Sequence, residues 1–117
     1  MAVIRRGEIW VANLNPTRGA EVGKIRPVLV LQADWLTEQD SPTIVIVPLS
    51  TQVRPELVAL RVTIPARDRL LKDCQAIPEK VRALDRRRFG AGPLTQATEK
   101  ELALIDQRVS AVIGLWP

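Results

Sequence analysis

Short aliphatic and β-branched runs, each ended by proline, glycine or a polar cluster, recur along this chain as far as Leu84. Runs of this length and composition are typical of β-strands, so the chain is constrained to a sheet-rich fold. The run at 28–32 is apolar throughout, which is typical of a strand buried on both faces. Asp85 can cap one further turn through Arg88. We therefore predict strands at 8–14, 28–32, 43–49, 57–64, 75–77 and 81–84, with a polar connection at 34–42 that contains a helical turn.

The C-terminal segment carries the one strong helical pattern. Thr95 or Thr98 can serve as the N-cap, and Thr98 with Glu101 three residues later fits a capping box. Gly114 supplies a stop signal. At helical spacing, a single apolar face is formed by Leu102, Ile105, Val109 and Val112. Pattern alone therefore predicts one mostly β (α+β) domain over residues 1–117, completed by a C-terminal α-helix.

Charge and the absence of histidine narrow the possible chemistry. The net charge is +4, and the segment 61–88 alone carries nine Lys and Arg against four Asp and Glu. A one-sided basic excess is typical of a protein that binds a polyanion. Acid–base chemistry falls to Arg, Lys, Asp, Glu, Ser, Thr or the lone Cys74, which we interpret as a half-buried structural residue. With no metal cluster, membrane span or secretory leader in the sequence, we expect a cytoplasmic protein without a cofactor.

Arg26 is the first candidate for chemistry. It stands directly before Pro27, which favours an extended backbone, and Gly19 and Gly23 allow the preceding loop to fold back over it. A guanidinium at the mouth of a strand presents fixed donors to phosphate oxygens. The alternative is a structural salt bridge between Arg26 and Glu21.

Three sequence blocks stand in a fixed order along the chain. They are RGEIWVANLNPTRGAEVGKIRPVLVL at 6–31, VIVPLST at 45–51 and VRALDRRRF at 81–89. Together they resemble the MazF/PemK family of toxin endoribonucleases, over nearly the whole chain. The resemblance implies a small, strongly curved SH3-like β-barrel and an endoribonuclease that cuts single-stranded mRNA without a metal. It also implies a homodimer and a small acidic antitoxin, similar to MazE, that occupies the RNA groove.

The resemblance further implies roles for individual residues. Arg26 would be catalytic with Ser50 or Thr51, because the family most often carries Thr followed by Ser where this chain has Ser50 and Thr51. Glu79 matches a position that is acidic in several members, while Lys80 replaces a frequent glutamine. The alternatives are a strand-end turn at 50–52 and a solvent-facing ion pair at Glu79. The residues expected to bind RNA are Glu21, Lys24, Gln52, Arg67, Arg69, Glu79, Lys80 and Arg82.

The tryptophans and the C-terminus leave alternatives open. Trp10 is expected in the core, whereas Trp35 begins a polar loop and is a candidate for base stacking or antitoxin contact. The chain ends in GLWP at 114–117, which superficially resembles the end of CcdB-like toxins, non-enzymatic inhibitors of DNA gyrase with the same fold. A third possibility is an SH3-like RNA- or peptide-binding module without activity. Cleavage of RNA in EDTA distinguishes the three.

Overall fold

A computed structural model describes residues 3–16, 19–20 and 24–115. Its longer helix is α2 (Glu99–Val112), and a short helix, α1, spans Asp34–Thr37. Single 3₁₀ turns lie at Pro55–Leu57, Pro78–Lys80 and Arg86–Arg88. In these described parts the strands are β1 (Glu8–Asn13), β2 (Ile25–Val30), β3 (Thr43–Ser50), β4 (Val62–Ile64), β5 (Cys74–Ala76), β6 (Arg82–Asp85) and β7 (Thr95–Gln96).

The strands form one antiparallel sheet in the order β4-β5-β3-β2-β1-β7. Strand β3 is its centre, because it pairs with β2 along one edge and with two strands along the other. Its first half pairs with β6, where Ile44 lies opposite Leu84, and its last two residues pair with β5, where Leu49 lies opposite Ala76. This division of one edge between two partners accompanies the strong curvature of the sheet.

Each face of the sheet carries its own hydrophobic core, because successive side chains of a strand alternate between faces. The core inside the barrel is covered by α2, whose Ile105 and Val109 pack with Ile9, Leu29, Val47, Leu49, Ile64 and Cys74. The outer core contains Trp10, Val28, Ile44, Ile46 and Leu84. Gly92 lies against the Trp10 ring so closely that a Cβ there would come within 2.3 Å of it, so this position requires glycine.

The predicted terminal helix and fold class are confirmed. Thr98 is the N-cap of α2, its side chain accepts a hydrogen bond from the Glu101 amide, and the Glu101 carboxylate accepts one from the Thr98 amide, which completes the capping box. Asp85 caps the 3₁₀ turn that follows β6, and hydrogen bonds from the Arg87 side chain and amide lower the pKa of Asp85 to about 2. Trp10 is 3% exposed, in the core as predicted.

The strand predicted at 57–64 is wrong over its first half. Pro55 begins a 3₁₀ turn there, and the amides of Leu60 and Arg61 donate to the Leu57 carbonyl, so those groups do not join a ladder. Only Val62–Ile64 pairs with β5. Val112, placed on the apolar face of the helix by its spacing, is 39% exposed. Cys74 is fully buried rather than half-buried.

Candidate active site

The start of β2 and the end of β3 form one polar cleft. The two strands are antiparallel, with Val28 opposite Pro48. Continuing this register by two residues brings Arg26 level with Ser50, on the same face of the sheet. The cleft has a volume of about 410 Å³ and is lined by Lys24, Ile25, Arg26, Pro27, Leu49, Ser50, Thr51 and Gln52. The fold therefore brings together five residues that the sequence analysis nominated from two separate blocks.

Arg26 is half-buried as the second residue of β2, where its backbone pairs with Ala12 of β1. Its Nε atom is buried and has no hydrogen-bond partner among the described residues. A buried donor is usually paired, and leaving a charged one unpaired is costly. The guanidinium is thus available to an anion that enters the cleft. Glu21, the alternative partner of Arg26 and a predicted RNA contact, lies outside the described residues.

The hydroxyls of Ser50 and Thr51 differ in their surroundings. Ser50 Oγ accepts a hydrogen bond of 3.1 Å from the Gln52 amide, which fixes the turn after β3 and leaves the hydroxyl proton free to donate. Thr51 is exposed and lines both the cleft and a neighbouring pocket. The turn expected at 50–52 therefore forms without using the hydroxyl proton of Ser50, which remains available to a phosphate oxygen.

Lys24 is held at the cleft by its backbone. Its amide donates to Asn15 Oδ1 at 2.9 Å, and its carbonyl accepts from the Leu14 amide at 2.9 Å. The residue has a positive φ of 70°, a conformation that non-glycine residues adopt only rarely. Its side chain is exposed, and its ammonium group adds a positive charge to the cleft.

The neighbouring pocket, which we call the side pocket, has a volume of about 180 Å³ and shares the walls Pro27 and Thr51 with the cleft. Its other lining residues are Arg69, Leu70, Leu71, Lys72, Cys74 and Leu94. Of these, sequence analysis nominated only Arg69 as a binding residue. Leu94 is distant in sequence and carries no local signal, and Lys72 was noticeable only as part of the basic segment. Burial, reinforced by the nearby charge of Asp73, raises the pKa of the Cys74 thiol.

Arg67, predicted to bind RNA, forms hydrogen bonds at the N-terminus of α2. Its guanidinium donates to both carboxylate oxygens of Glu101, at 3.1 and 2.5 Å, and to the Gln96 carbonyl at 2.9 Å. Burial alone would raise the pKa of Glu101, but hydrogen bonds from Arg67 and Thr98 outweigh it and lower that pKa. The prediction missed this because the acidic partner lies 34 residues away along the chain.

The third predicted group, Glu79, Lys80 and Arg82, does not line the cleft in the part of the chain that is described. Glu79 forms a partly buried ion pair with Arg61, with 3.2 Å between Nη2 and Oε2. Its Oε1 atom and the Nη1 atom of Arg82 are buried without a hydrogen-bond partner among the described residues. The ion pair of Glu79 is therefore partly buried, not solvent-facing as the alternative in the sequence analysis expected. Glu79 is also not among the described residues that line the cleft at Arg26.

Other candidates fall outside this site or outside the described chain. Trp35 lies on α1 and is 65% exposed, so it remains available to a partner. Trp116 and Pro117 are not described. Among the described residues, no group of three or more His, Cys, Asp or Glu side chains is arranged to hold a metal ion. No helix in 3–16, 19–20 or 24–115 has the length and apolar character needed to cross a membrane.

Comparison with known proteins relates the chain to one family. A family model described as PemK-like, MazF-like toxin of type II toxin–antitoxin system matches residues 5–113. The chain is 30% identical over 114 residues to Endoribonuclease MazF of Staphylococcus epidermidis, covering 97% of this chain and 93% of the relative. The corresponding Staphylococcus saprophyticus protein is 29% identical over the same length.

Solved structures agree on the fold. The crystal structure of MazF from Deinococcus radiodurans superposes with a TM-score of 0.83 at 24% identity, covering 97% of this chain and 99% of that one. A MazE–MazF structure from the same organism gives a TM-score of 0.77 at 23% identity, covering 98% and 99%. These similarities confirm the mostly β barrel with a C-terminal helix.

Proposed function

Because this chain belongs to the PemK-like, MazF-like toxin family of type II toxin–antitoxin systems, we propose that it is an endoribonuclease toxin (an mRNA interferase) that cuts single-stranded RNA in the cleft between β2 and β3. The observation that carries the proposal is the position of Arg26 level with Ser50, with a buried guanidinium nitrogen that lacks a partner among the described residues. Family membership gives no support to the alternative of a CcdB-like gyrase inhibitor, nor to a module without activity.

The reaction we propose uses the substrate's own 2′-hydroxyl as nucleophile. The 2′-oxygen forms a bond to phosphorus while the bond from phosphorus to the 5′-oxygen breaks, which leaves a 2′,3′-cyclic phosphate and a 5′-hydroxyl. The proton lost from the 2′-hydroxyl is balanced by the proton gained by the 5′-oxygen. Negative charge grows on the phosphoryl oxygens in between, and Arg26 stabilises that charge electrostatically.

Ser50 is the second group placed for this chemistry. With one lone pair engaged by the Gln52 amide, its hydroxyl proton is free to be donated to an acceptor that enters the cleft. We assign that proton to a phosphoryl oxygen of the scissile group, where it supplements Arg26. Lys24 and Gln52 complete the lining and contact the RNA backbone. None of these steps requires a metal ion.

In the inactive toxin, we propose that the same cleft is occupied by the antitoxin. We propose a homodimer that binds RNA in a groove across the subunit interface, with a small acidic antitoxin occupying that groove when the toxin is inactive. The MazE–MazF complexes among the similar structures support an antitoxin of this kind. An acidic peptide and an RNA backbone compete for one positive field, so a single basic surface accounts for both partners.

The experiment that tests this proposal is cleavage of a long defined RNA by the purified protein in excess EDTA. Mapping both ends of the fragments should reveal cuts at a recurring short sequence, with cyclic phosphate on one side and 5′-hydroxyl on the other. The Arg26→Ala protein, prepared identically, controls for contaminating nucleases. Equal cleavage by both preparations, or none by the unmodified protein with or without Mg²⁺, would contradict the proposal.

A further inference from the structure

We propose that the side pocket binds one nucleobase next to the scissile phosphate, and that it selects a base whose edge carries carbonyl oxygens, uracil or guanine, over adenine. The proposal rests on the function proposed above and assigns the choice of substrate sequence to specific side chains. It is carried by three observations: the contact between the pocket and the cleft, the chemistry of the pocket walls, and the way its hairpin is held.

The pocket and the cleft are continuous. Pro27 and Thr51 line both, and Pro27 directly follows the arginine assigned to the phosphate. A nucleotide whose phosphate contacts Arg26 therefore has its neighbouring base at the entrance of the side pocket. At about 180 Å³ the pocket is smaller than the roughly 300–1,000 Å³ of pockets for drug-sized ligands, which suits a single base.

The walls combine apolar surface with hydrogen-bond donors. Leu70, Leu71 and Leu94 provide an apolar surface against which the flat face of an unstacked base can pack. The charged side chains at the pocket are Arg69 and Lys72, both cationic and both donors only. No carboxylate is among the lining residues described.

The acidic residues of the same hairpin, 65–73, are bound elsewhere. Asp73 accepts a hydrogen bond from the Ala66 amide at 2.8 Å, and Asp68 accepts one from the Thr95 hydroxyl at 2.6 Å. Asp68 adopts a positive φ of 52°, so this contact with β7 holds a backbone conformation that is unfavourable by itself. Neither carboxylate therefore forms an ion pair with Arg69 or Lys72 among the described residues.

Arg69 is held in position before RNA arrives. Its amide donates to the Leu94 carbonyl at 3.0 Å, and its Nη2 donates to the Pro93 carbonyl at 2.7 Å. The ion pair of Arg67 with Glu101 fixes the hairpin to α2 two residues before Arg69. A guanidinium carries five N–H donors, so one that is immobilised in this way retains others for a ligand. Pre-organisation of this kind reduces the entropy lost when a ligand binds.

Base selection follows from the donors. Guanine and uracil present carbonyl oxygens that Arg69 and Lys72 can bond, whereas adenine places an amino group there. An adenine in the pocket could accept from one donor through a ring nitrogen but would turn its amino group, itself a donor, toward the other, and sites with donors discriminate against ligands that cannot accept from them. No carboxylate is among the described lining residues to accept from the adenine amino group.

The test uses an RNA library randomised around one cut site, with sequencing of the cut ends. The unmodified protein should enrich uracil or guanine over adenine at one position flanking the cut, and Lys72→Met and Arg69→Met should each reduce that enrichment by roughly tenfold. Lys100→Met is the matched control, because Lys100 is an exposed lysine on α2 and lines neither the cleft nor the side pocket among the described residues. That variant should keep the preference. Melting temperatures verify folding of all variants.

Leu71→Ala is the third pocket variant, and we expect it to fold because Leu71 is 85% exposed. It should weaken the preference for the favoured base by loss of contact. Uridine 3′-monophosphate should inhibit cleavage more strongly than adenosine 3′-monophosphate. This difference between the two inhibitors should be smaller with the Lys72→Met protein. Cleavage with an unchanged preference in all three pocket variants would overturn the pocket assignment and leave the function standing. No cleavage by the unmodified protein would overturn both.

Discussion

Arg26 has an unusual hydrogen-bonding environment that leaves its guanidinium able to bind an anion. Its Nε atom is buried and lacks a partner among the described residues, which a folded protein tolerates mainly where a ligand supplies the partner. We therefore expect Arg26→Ala to lower kcat/KM by roughly 10²- to 10³-fold, the size of effect seen when one stabilising donor is removed from an active site. Single-turnover cleavage and thermal melting measure the two sides of this prediction. The melting temperature should not fall, since the Arg26 Nε atom has no hydrogen-bond partner to lose among the described residues.

Arg26→Lys should restore little of the lost activity, because an ammonium cannot form the paired bonds of a guanidinium with phosphate. An alanine variant with full activity would remove Arg26 from the mechanism. A variant that fails to fold would instead point to a structural role, such as the salt bridge to Glu21.

Ser50 and Thr51 give opposite expectations at neighbouring positions. Ser50→Ala should reduce the cleavage rate at least about tenfold, because it removes both the donor to phosphate and the acceptor for the Gln52 amide. Ser50→Thr should be nearly neutral in activity. Thr51→Ala should change the preferred flanking base more than the rate, since Thr51 lines both the side pocket and the cleft. If Thr51→Ala reduced the cleavage rate more than Ser50→Ala, Thr51 rather than Ser50 would be the residue that donates to the phosphate.

At the residue level, sequence predicted the part of the site that depends on adjacent strands. Arg26 and Ser50 meet because β2 and β3 are antiparallel neighbours joined in sequence, and Lys24, Thr51 and Gln52 follow by proximity along the chain. The ion pair of Arg67 was not predicted because its acidic partner belongs to a distant helix. No local pattern contains that contact, which only tertiary packing creates.

At the scale of elements, the hairpin 65–73 and α2 depend on one ion pair. Arg67 joins them through Glu101, which is also part of the capping box, so a single carboxylate serves a helix end and a loop. Glu101→Gln should lower the free energy of unfolding at neutral pH by about 2 kcal/mol, the scale of hydrogen bonds to a charged group. Glu99→Gln is the matched control, because Glu99 is exposed in the same helical turn.

The effect of Glu101→Gln should depend on pH. The folded protein holds the pKa of Glu101 below its ordinary value of 4.5, so the folded state binds the proton less readily than the unfolded state. The stabilisation is therefore complete above about pH 4.5 and is lost as pH falls through the lower, folded pKa. Denaturant unfolding of both proteins between pH 7 and pH 3 should give a difference that shrinks at acidic pH. A constant difference would mean that Glu101 acts through its shape rather than its charge.

The elements differ in how far local sequence determines them. The capping box at Thr98 and the stop at Gly114 (φ 84°) fixed both ends of α2, because these signals act within a few residues. The run at 57–64 looked like a strand by composition, but Pro55 begins a turn and the Arg108 guanidinium donates to the Val58 and Ala59 carbonyls. These carbonyls bond to a helix side chain distant in sequence, which strand propensity does not encode.

At the scale of the whole molecule, the basic segment 61–88 is less available than its composition indicates. Arg61, Arg67 and Arg87 form ion pairs with Glu79, Glu101 and Asp85. Arg86 donates to the carbonyls of Ser41 and Thr37. Much of the positive charge that predicted a polyanion partner therefore stabilises the fold. The cations that line the cleft and the side pocket, among the residues described, are Lys24, Arg26, Arg69 and Lys72.

This distribution predicts the salt dependence of RNA binding. Single-stranded RNA releases roughly 0.7 counterion per phosphate contact, so the two cations assigned to the RNA backbone, Lys24 and Arg26, give a slope of about −1.4 for log K against log salt concentration. If all nine basic residues of the segment contacted phosphates, the slope would be about −6. Binding is measured by fluorescence anisotropy with an RNA that carries 2′-deoxyribose at the cut, so that the nucleophile is absent and the RNA stays intact. Lys24→Met should make the slope less steep by about 0.7, and Lys100→Met should leave it unchanged. A slope near −6 would mean that RNA follows the whole basic segment and displaces its internal ion pairs.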